Sequence, residues 1–287
     1  MLYTDPHAAY KSNPINMLRS WLRFLSCAGL LGLFFASACA GSARESSGAG
    51  AVEYSVSAKQ NYDKGMKALE DDEWTDAAKY FGFVKARFPY SKYAVLADLR
   101  IADAAFGAGA YLEAIDQYKQ FIKFHPTHEM VENGYASFRI GEAYYKMLPD
   151  DWFLVPPSYE KDQTSTLDAM RELTLFQKKY PSSPYLERSE KMRRECARAL
   201  AAHEWYVARF YWDREQPMGT VLRLRTLLDR YPGVGYDAPA LLLLGNAYWR
   251  VGRKDDAKRA WQHLVDTYPK ASQAQDARAQ LASHAGG

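Results

Sequence analysis

The fold this sequence predicts is all-α: a superhelix of five helix–turn–helix repeats with a C-terminal capping helix. Three observations predict it. An aromatic residue or histidine followed by proline recurs at Phe88-Pro89, His125-Pro126, Tyr180-Pro181, Tyr231-Pro232 and Tyr268-Pro269. Twelve residues before these prolines stand Ala77, Ala114, Ala169, Thr220 and Ala257, all small. Twenty-four residues before them stand Gly65, Ala102, Pro157, Ala208 and Gly245, small in every case but Pro157. No run alternates with the period of two that a strand requires.

The unit is clearest between Leu241 and Pro269. Leu244-Gly245, Tyr248, Ala257, Trp261, Leu264 and Pro269 fall at the spacings of the tetratricopeptide repeat, a hairpin of about 34 residues. Gly245 and Ala257 are small, so two helices can approach closely, with Tyr248 and Trp261 filling the space beside them. Gly252 ends the first helix, where a Cβ would be strained at positive φ. Pro269 stops the second, because its ring cannot continue the hydrogen-bond ladder. One such hairpin cannot bury its apolar face alone, so neighbours of the same kind are required.

Taken in order, residues 1–38 read as a signal segment, with Met17 a better start than Met1. Arg19 and Arg23 precede an apolar run from Phe24 to Phe35, too short for the ~20 residues that span a bilayer. Ala36-Ser37-Ala38-Cys39 places small residues before a cysteine, as in bacterial lipoprotein signals, with Cys39 the lipidated residue. An ordinary secretory signal cleaved after Ala38 or Ala40 is the alternative. Ala40, standing where an aspartate would favour the inner membrane, favours the outer one. Residues 39–53 are rich in Gly, Ala and Ser and form a lipidated flexible tether.

Residues 54–181 hold repeats one to three. The first spans Ala58 to Glu70 and Trp74 to Phe88, around a turn at Asp71-Asp72-Glu73. The second spans Lys92 to Ala108 and Tyr111 to His125. The third has a first helix from Glu129 to Met147. Its small residue is Gly141, in Ile140-Gly141-Glu142-Ala143-Tyr144, sixteen positions before Pro157. An insertion of roughly Leu148 to Thr164 explains the offset, and Thr164 caps a second helix ending at Lys179. Residues 182–287 hold repeats four and five and the capping helix. Pro184 opens a helix reaching Asp213, longer than one repeat helix. Its partner runs from Pro217 to Tyr231. The fifth repeat follows, and a helix from Ala271 to about His284 covers the exposed end.

Composition bounds the function. Residues 1–38 hold three of the 37 basic and one of the 34 acidic residues, which leaves the remainder at +1. No basic field is left for nucleic acid. Cys27 lies in the signal segment, so Cys196 stands alone in the folded part, without a disulfide framework or metal spacing. His125 and His128 flank a proline and do not share a helix face. No nucleophile elbow or phosphate loop is present, and Asp71-Asp72-Glu73 and Asp150-Asp151 read as solvated turns. The sequence predicts neither enzyme, cofactor nor metal site.

At the fourth repeat the pattern becomes specific. Leu200-Ala-Ala-His-Glu-Trp-Tyr-Val-Ala-Arg-Phe-Tyr211 resembles the BamD (YfiO) family of lipoproteins of the outer-membrane β-barrel assembly (BAM) machinery. So do Tyr118-Lys-Gln-Phe-Ile-Lys-Phe-His-Pro-Thr-His128 and Tyr180-Pro-Ser-Ser-Pro-Tyr185. The resemblance covers about residues 54 to 282. It implies a lipid-anchored subunit on the periplasmic side of the outer membrane. Its C-terminal repeats would bind a BamA-type POTRA–barrel protein. Its N-terminal repeats would receive the C-terminal signal strands of nascent outer-membrane proteins, and some relatives bind other BAM lipoproteins. Arg223 aligns with the family's arginine that faces a BamA carboxylate. The insertion, with Trp152-Phe153-Leu154 and Pro156-Pro157, departs from the family's usual one, and Gln216-Pro217 replaces a common glycine-containing turn.

The repeat frame places the peptide-binding groove on the first helices. Positions two, five, nine and twelve are Lys59, Tyr62, Met66 and Leu69 in repeat one. They are Leu96, Leu99, Asp103 and Phe106 in repeat two, and Tyr135, Phe138, Glu142 and Tyr145 in repeat three. This predicts an aromatic, apolar surface with sparse charge, suited to peptides with alternating aromatic and apolar side chains. Lys59 would meet a terminal carboxylate. The plainer expectation for such a stripe is core packing. A periplasmic adaptor of the YbgF/CpoB type is the competing reading; such proteins carry an N-terminal coiled coil, and no sustained heptads precede Ala58. A lipid-anchored hydrolase with a repeat domain is a third, and lacks its catalytic motif.

Overall fold

The computed structural model describes residues 52–149 and 156–284. The signal segment, Cys39, most of the tether and Trp152-Phe153-Leu154 lie outside the described residues. Repeat one is α1 (Ala58–Glu70) and α2 (Trp74–Arg87), and repeat two is α3 (Lys92–Gly107) and α4 (Tyr111–Phe124). Repeat three is α5 (Glu129–Glu132), α6 (Tyr135–Lys146) and α7 (Thr164–Lys179). Then come α8 (Leu186–Asp213) with α9 (Pro217–Arg230), α10 (Asp237–Arg250) with α11 (Lys254–Thr267), and α12 (Ser272–Ser283). The two helices of each hairpin pack on each other, and each second helix packs on the first helix of the next repeat.

One register closes the hairpins. A Cβ on Gly65 would stand 2.7 Å from the Phe81 ring, one on Gly141 2.8 Å from Leu173, and one on Gly245 2.2 Å from Trp261. In repeats one and five the large residue follows the small one by sixteen positions. In repeat three the insertion adds sixteen more, so Gly141 is the small residue of that repeat and Pro157 is not. Tyr118 and Leu224 hold the same place after Ala102 and Ala208, and all five large side chains are buried. Burying each such side chain contributes about 1.5–3 kcal/mol.

Three local expectations need correction. The first helix of repeat three is broken at Asn133-Gly134. Gly134 has φ of 87°, and its Cα passes under Phe176 and Tyr180 so closely that a Cβ would clash. The break is held by Asn133, whose Oδ1 accepts from the Tyr135 amide at 2.9 Å, and by Ser183 Oγ donating to the Asn133 carbonyl at 2.7 Å. Thr164 is the first residue of α7 and does not cap it; Asp162 Oδ1 accepts from the Thr164 amide at 3.1 Å and its hydroxyl at 2.8 Å. An aspartate two residues upstream competes well for that amide. Pro184 lies before α8, whose first residue is Leu186.

Helix α8 serves two repeats. At 28 residues it is ~42 Å long. It packs on α6 and α7, then on α9, and on the 3-10 turn Ser158–Glu160 that follows the insertion. His203 Nδ1 donates to the Tyr159 carbonyl at 2.7 Å, fixing that turn to α8. At the start of the array, the segment entering α1 is tied down. Buried Asn61 donates to the carbonyls of Ser55 and Ser57 at 2.7 and 2.8 Å, and Tyr54 stacks on Phe83 with ring centroids 4.1 Å apart.

Candidate functional site

The predicted groove residues divide into two groups. Leu99 and Phe138 are core, each 1% exposed. Leu99 belongs to the apolar cluster between α3, α4 and α6, while Phe138 packs against Phe176 and stacks on Tyr185 at 5.1 Å. The frame put them on the surface, but position five of a first helix is covered wherever the next helix leans over it. Tyr62, Met66, Phe106, Tyr135 and Tyr145 are half-buried, each with part of its side chain open. Lys59 is exposed but already paired with Asp63 at 2.6 Å.

Asp103 and Glu142 are not sparse charges on an apolar face. They are buried centres of one polar network. Asp103 on α3 takes Arg100 at 2.5 Å and accepts from Tyr135 Oη of α6 at 2.7 Å and from Tyr118 Oη of α4. Arg139 on α6 continues the chain. Its Nε donates to Tyr118 Oη at 3.1 Å, its Nη1 reaches Glu142 Oε2 at 2.8 Å, and its guanidinium lies 3.6 Å from the Phe106 ring centroid. The second oxygen of Glu142 takes Arg188 of α8. The line of contacts thus crosses α3, α4, α6 and α8.

The network holds Arg139 charged and Tyr118 and Tyr135 neutral. Burial opposes the charge on Arg139, and Tyr118, Tyr135 and Glu142 outweigh it, so the guanidinium is held charged more firmly than usual. Burial and the Asp103 carboxylate push the phenols of Tyr118 and Tyr135 well above their ordinary range. Charge-assisted hydrogen bonds of this kind are roughly twice as strong as neutral ones. Three arginines meet two carboxylates, and Arg188, 57% exposed at its side chain, carries the accessible part of the excess.

The arginines, Tyr118 and Tyr185 are absent from the frame-based site. A signal for two of them stands in the sequence: Arg100-Ile101-Ala102-Asp103 and Arg139-Ile140-Gly141-Glu142 repeat one tetrapeptide around the close-packing position. Arginine and acid three apart share a helix face. Arg188 and Tyr185 lie beyond the repeat frame and are brought in only by α8.

Arg223 on α9 pairs with Glu204 of α8 at 3.3 Å and is 41% exposed. Leu222 beside it and Met218 one turn earlier are 60% and 49% exposed. Among the described residues no helix is long and apolar enough to cross a membrane, and no three His, Cys, Asp or Glu side chains gather as metal ligands.

The resemblance read from motifs extends along the described chain. Residues 55–264 match the family model of YfiO, described as outer membrane lipoprotein. Outer membrane protein assembly factor BamD of Rickettsia prowazekii is 26% identical over 208 residues, covering 72% of this chain and 79% of its own length. BamD of Caulobacter vibrioides is 24% identical over 208 residues, covering 72% of this chain and 65% of its own. Among solved structures, the TPR2AB-domain:pHSP90-complex of yeast Sti1 aligns with 79% of this chain and 84% of its own at 14% identity and a TM-score of 0.39. With more than half of its residues matched, the chain belongs to the YfiO (BamD) family of outer membrane lipoproteins.

Proposed function

We propose that the chain is a non-enzymatic scaffold subunit of the machinery that assembles β-barrel proteins in the outer membrane. It is anchored by a lipid on Cys39 and faces the periplasm. The observation that carries this reading is the match over residues 55–264 to relatives named as outer membrane protein assembly factors. In this reading the C-terminal repeats dock a BamA-type POTRA–barrel protein, with Arg223 presented to a partner carboxylate and Leu222 and Met218 supplying apolar contact. Exchanging Glu204 for that carboxylate costs Arg223 little, because its present pair is only part-buried. The N-terminal repeats take the C-terminal segments of nascent outer-membrane proteins along Lys59, Tyr62, Met66, Phe106, Tyr135 and Tyr145. Arg188 is a second cation, with Lys59, for the terminal carboxylate.

A mild-detergent pull-down of the tagged protein from its own membranes tests the assembly role. Near-equal recovery of a POTRA–barrel protein is the expected result. Recovery of Tol-Pal or peptidoglycan-synthesis proteins without it would move the assignment to an envelope adaptor. Arg223→Glu is expected to lower that recovery at unchanged helicity, and equal recovery would remove Arg223 from the docking face. Cys39→Ala is expected to release the protein from the membrane pellet.

A further inference from the structure

Charge is divided between the two edges of the first repeat. The α1–α2 turn gathers Glu70, Asp71, Asp72 and Glu73, with Asp76 in the first turn of α2. The opposite edge, where α2 ends and α3 begins, holds Lys85, Arg87 and Lys92. The next two second helices end alike, α4 with Lys123 and α7 with Lys178 and Lys179, and share that edge with exposed Glu129 and Glu132 of α5 and Glu187 and Glu190 of α8. Asp98 ties the first two ends together, taking Lys85 at 2.5 Å on one oxygen and His125, which follows α4, at 3.3 Å on the other. Among the described residues no carboxylate lies within ion-pair distance of Arg87, Lys92, Lys123, Lys178 or Lys179. Two aromatic side chains stand in water among these cations: Tyr90 is fully exposed and Phe124 is 65% exposed.

The helix dipole favours a cation in the last turn of any helix. It does not explain why α7 has two and α11 none, or why rings are exposed beside them. The chain also enters the folded body near this edge. Tyr54 stacks on Phe83, one turn before Arg87, and α1 starts at the edge where its antiparallel partner α2 ends. Val52 is the first described residue, and the thirteen residues that carry the chain from Cys39 to it reach at most ~45 Å.

We infer that this basic, aromatic edge of repeats one to three rests on the anionic phospholipid headgroups of the membrane that holds the chain. Arg87, Lys92, Lys123 and Lys178 meet lipid phosphates. Tyr90 and Phe124 reach the interfacial layer, where amphipathic rings are favoured. The acidic α1–α2 turn faces away. The inference rests on the anchor reading of Cys39, which brings the edge within reach of the surface. Each cation near an anionic surface strengthens association by about fivefold, and the effect is screened beyond ~8 Å at physiological salt.

The test uses the full chain reconstituted on vesicles of neutral lipid, or of neutral lipid mixed with phosphatidylglycerol, each carrying a headgroup-linked quencher. A fluorophore is placed at Tyr90→Cys or at Asp71→Cys on the opposite edge; Cys196 is wholly buried and takes no label, and on the anchor reading Cys27 is cleaved off and the Cys39 thiol carries the lipid. On anionic vesicles the fluorophore at position 90 is expected to be quenched several-fold more than that at 71. Arg87→Glu/Lys123→Glu/Lys178→Glu is expected to abolish the difference. Equal quenching at both positions, or a difference that survives charge reversal, overturns the proposal while leaving the anchor intact. A protein that stays in solution with both kinds of vesicle overturns the proposal and the anchor reading together.

Discussion

Between α3, α4 and α6 a buried network of Asp103, Glu142 and their arginines is added to the apolar packing, whereas α9, α10 and α11 close on Leu224, Leu227, Tyr248, Trp261 and Leu264. Both regions use the same hairpin and the same small-to-large register. They differ in the polar network that joins the apolar packing in the first. An apolar interface draws its stability from area removed from water and tolerates small shifts. A buried ion-pair network adds little net stability, since desolvation offsets most of its attraction. It does fix the positions of several polar side chains against each other. The N-terminal repeats therefore carry a half-polar inner face with defined donors, and the C-terminal repeats an apolar one.

The largest test of this contrast sets two truncations side by side. Trp261→Ala should cost about 3–5 kcal/mol by loss of transfer energy and the cavity left against Gly245. Asp103→Ala should cost about 3 kcal/mol for a different reason, the stranding of Arg100 without its carboxylate. Urea unfolding followed by amide exchange should show the first loss in α10–α11 and the second in α3–α6. Exchange that rises uniformly in both variants would mean that the two halves are one cooperative unit.

A smaller effect is expected at the break between α5 and α6. Gly134→Ala places a Cβ at positive φ and against Phe176, and should cost about 1–3 kcal/mol. An unchanged urea midpoint would show that the broken helix is not a constraint on the third repeat.

Alkaline pH sharpens the comparison most gently. The phenols of Tyr118 and Tyr135 ionise at higher pH in the folded chain than in the unfolded one, from burial and from Asp103. Their contribution is complete below about pH 10 and is lost as pH rises further. Burial likewise pushes the Cys196 thiol up to about 12, so its share begins to fall above about pH 9. Tyr135→Phe should flatten the decline of the urea midpoint between pH 8 and 11. Tyr231→Phe should flatten it less, because at Tyr135 a hydrogen-bonded carboxylate adds to burial, whereas at Tyr231 burial leads and Arg230 opposes it. Equal slopes would remove the network as the source of the alkaline loss.

The candidate site was only partly legible in advance. Tyr62, Phe106, Tyr135 and Tyr145 are half-open on the first helices, as the repeat frame placed them. Leu99 and Phe138 share that frame but are covered, because a repeat frame specifies the side of a helix and not how far its neighbour leans over it. Arg188 on α8 and Tyr185 just before it enter the site 46 and 47 positions beyond Glu142 and Phe138. No local pattern announces a contact over that distance.

The sequence alone determined the hairpins, their five-fold recurrence and the insertion that displaces the third. These follow from spacings of glycine, alanine and proline within about 34 residues, a range over which backbone sterics decide. Tertiary structure alone decided which inner-face side chains became core, which charges found partners, and that the first helix of repeat three breaks beneath Tyr180. Those outcomes depend on how neighbouring helices cover one another, and coverage sets desolvation. A carboxylate such as Asp103 becomes a buried, fully partnered group only when α4 and α6 close over it and bring Tyr118 and Tyr135 within reach.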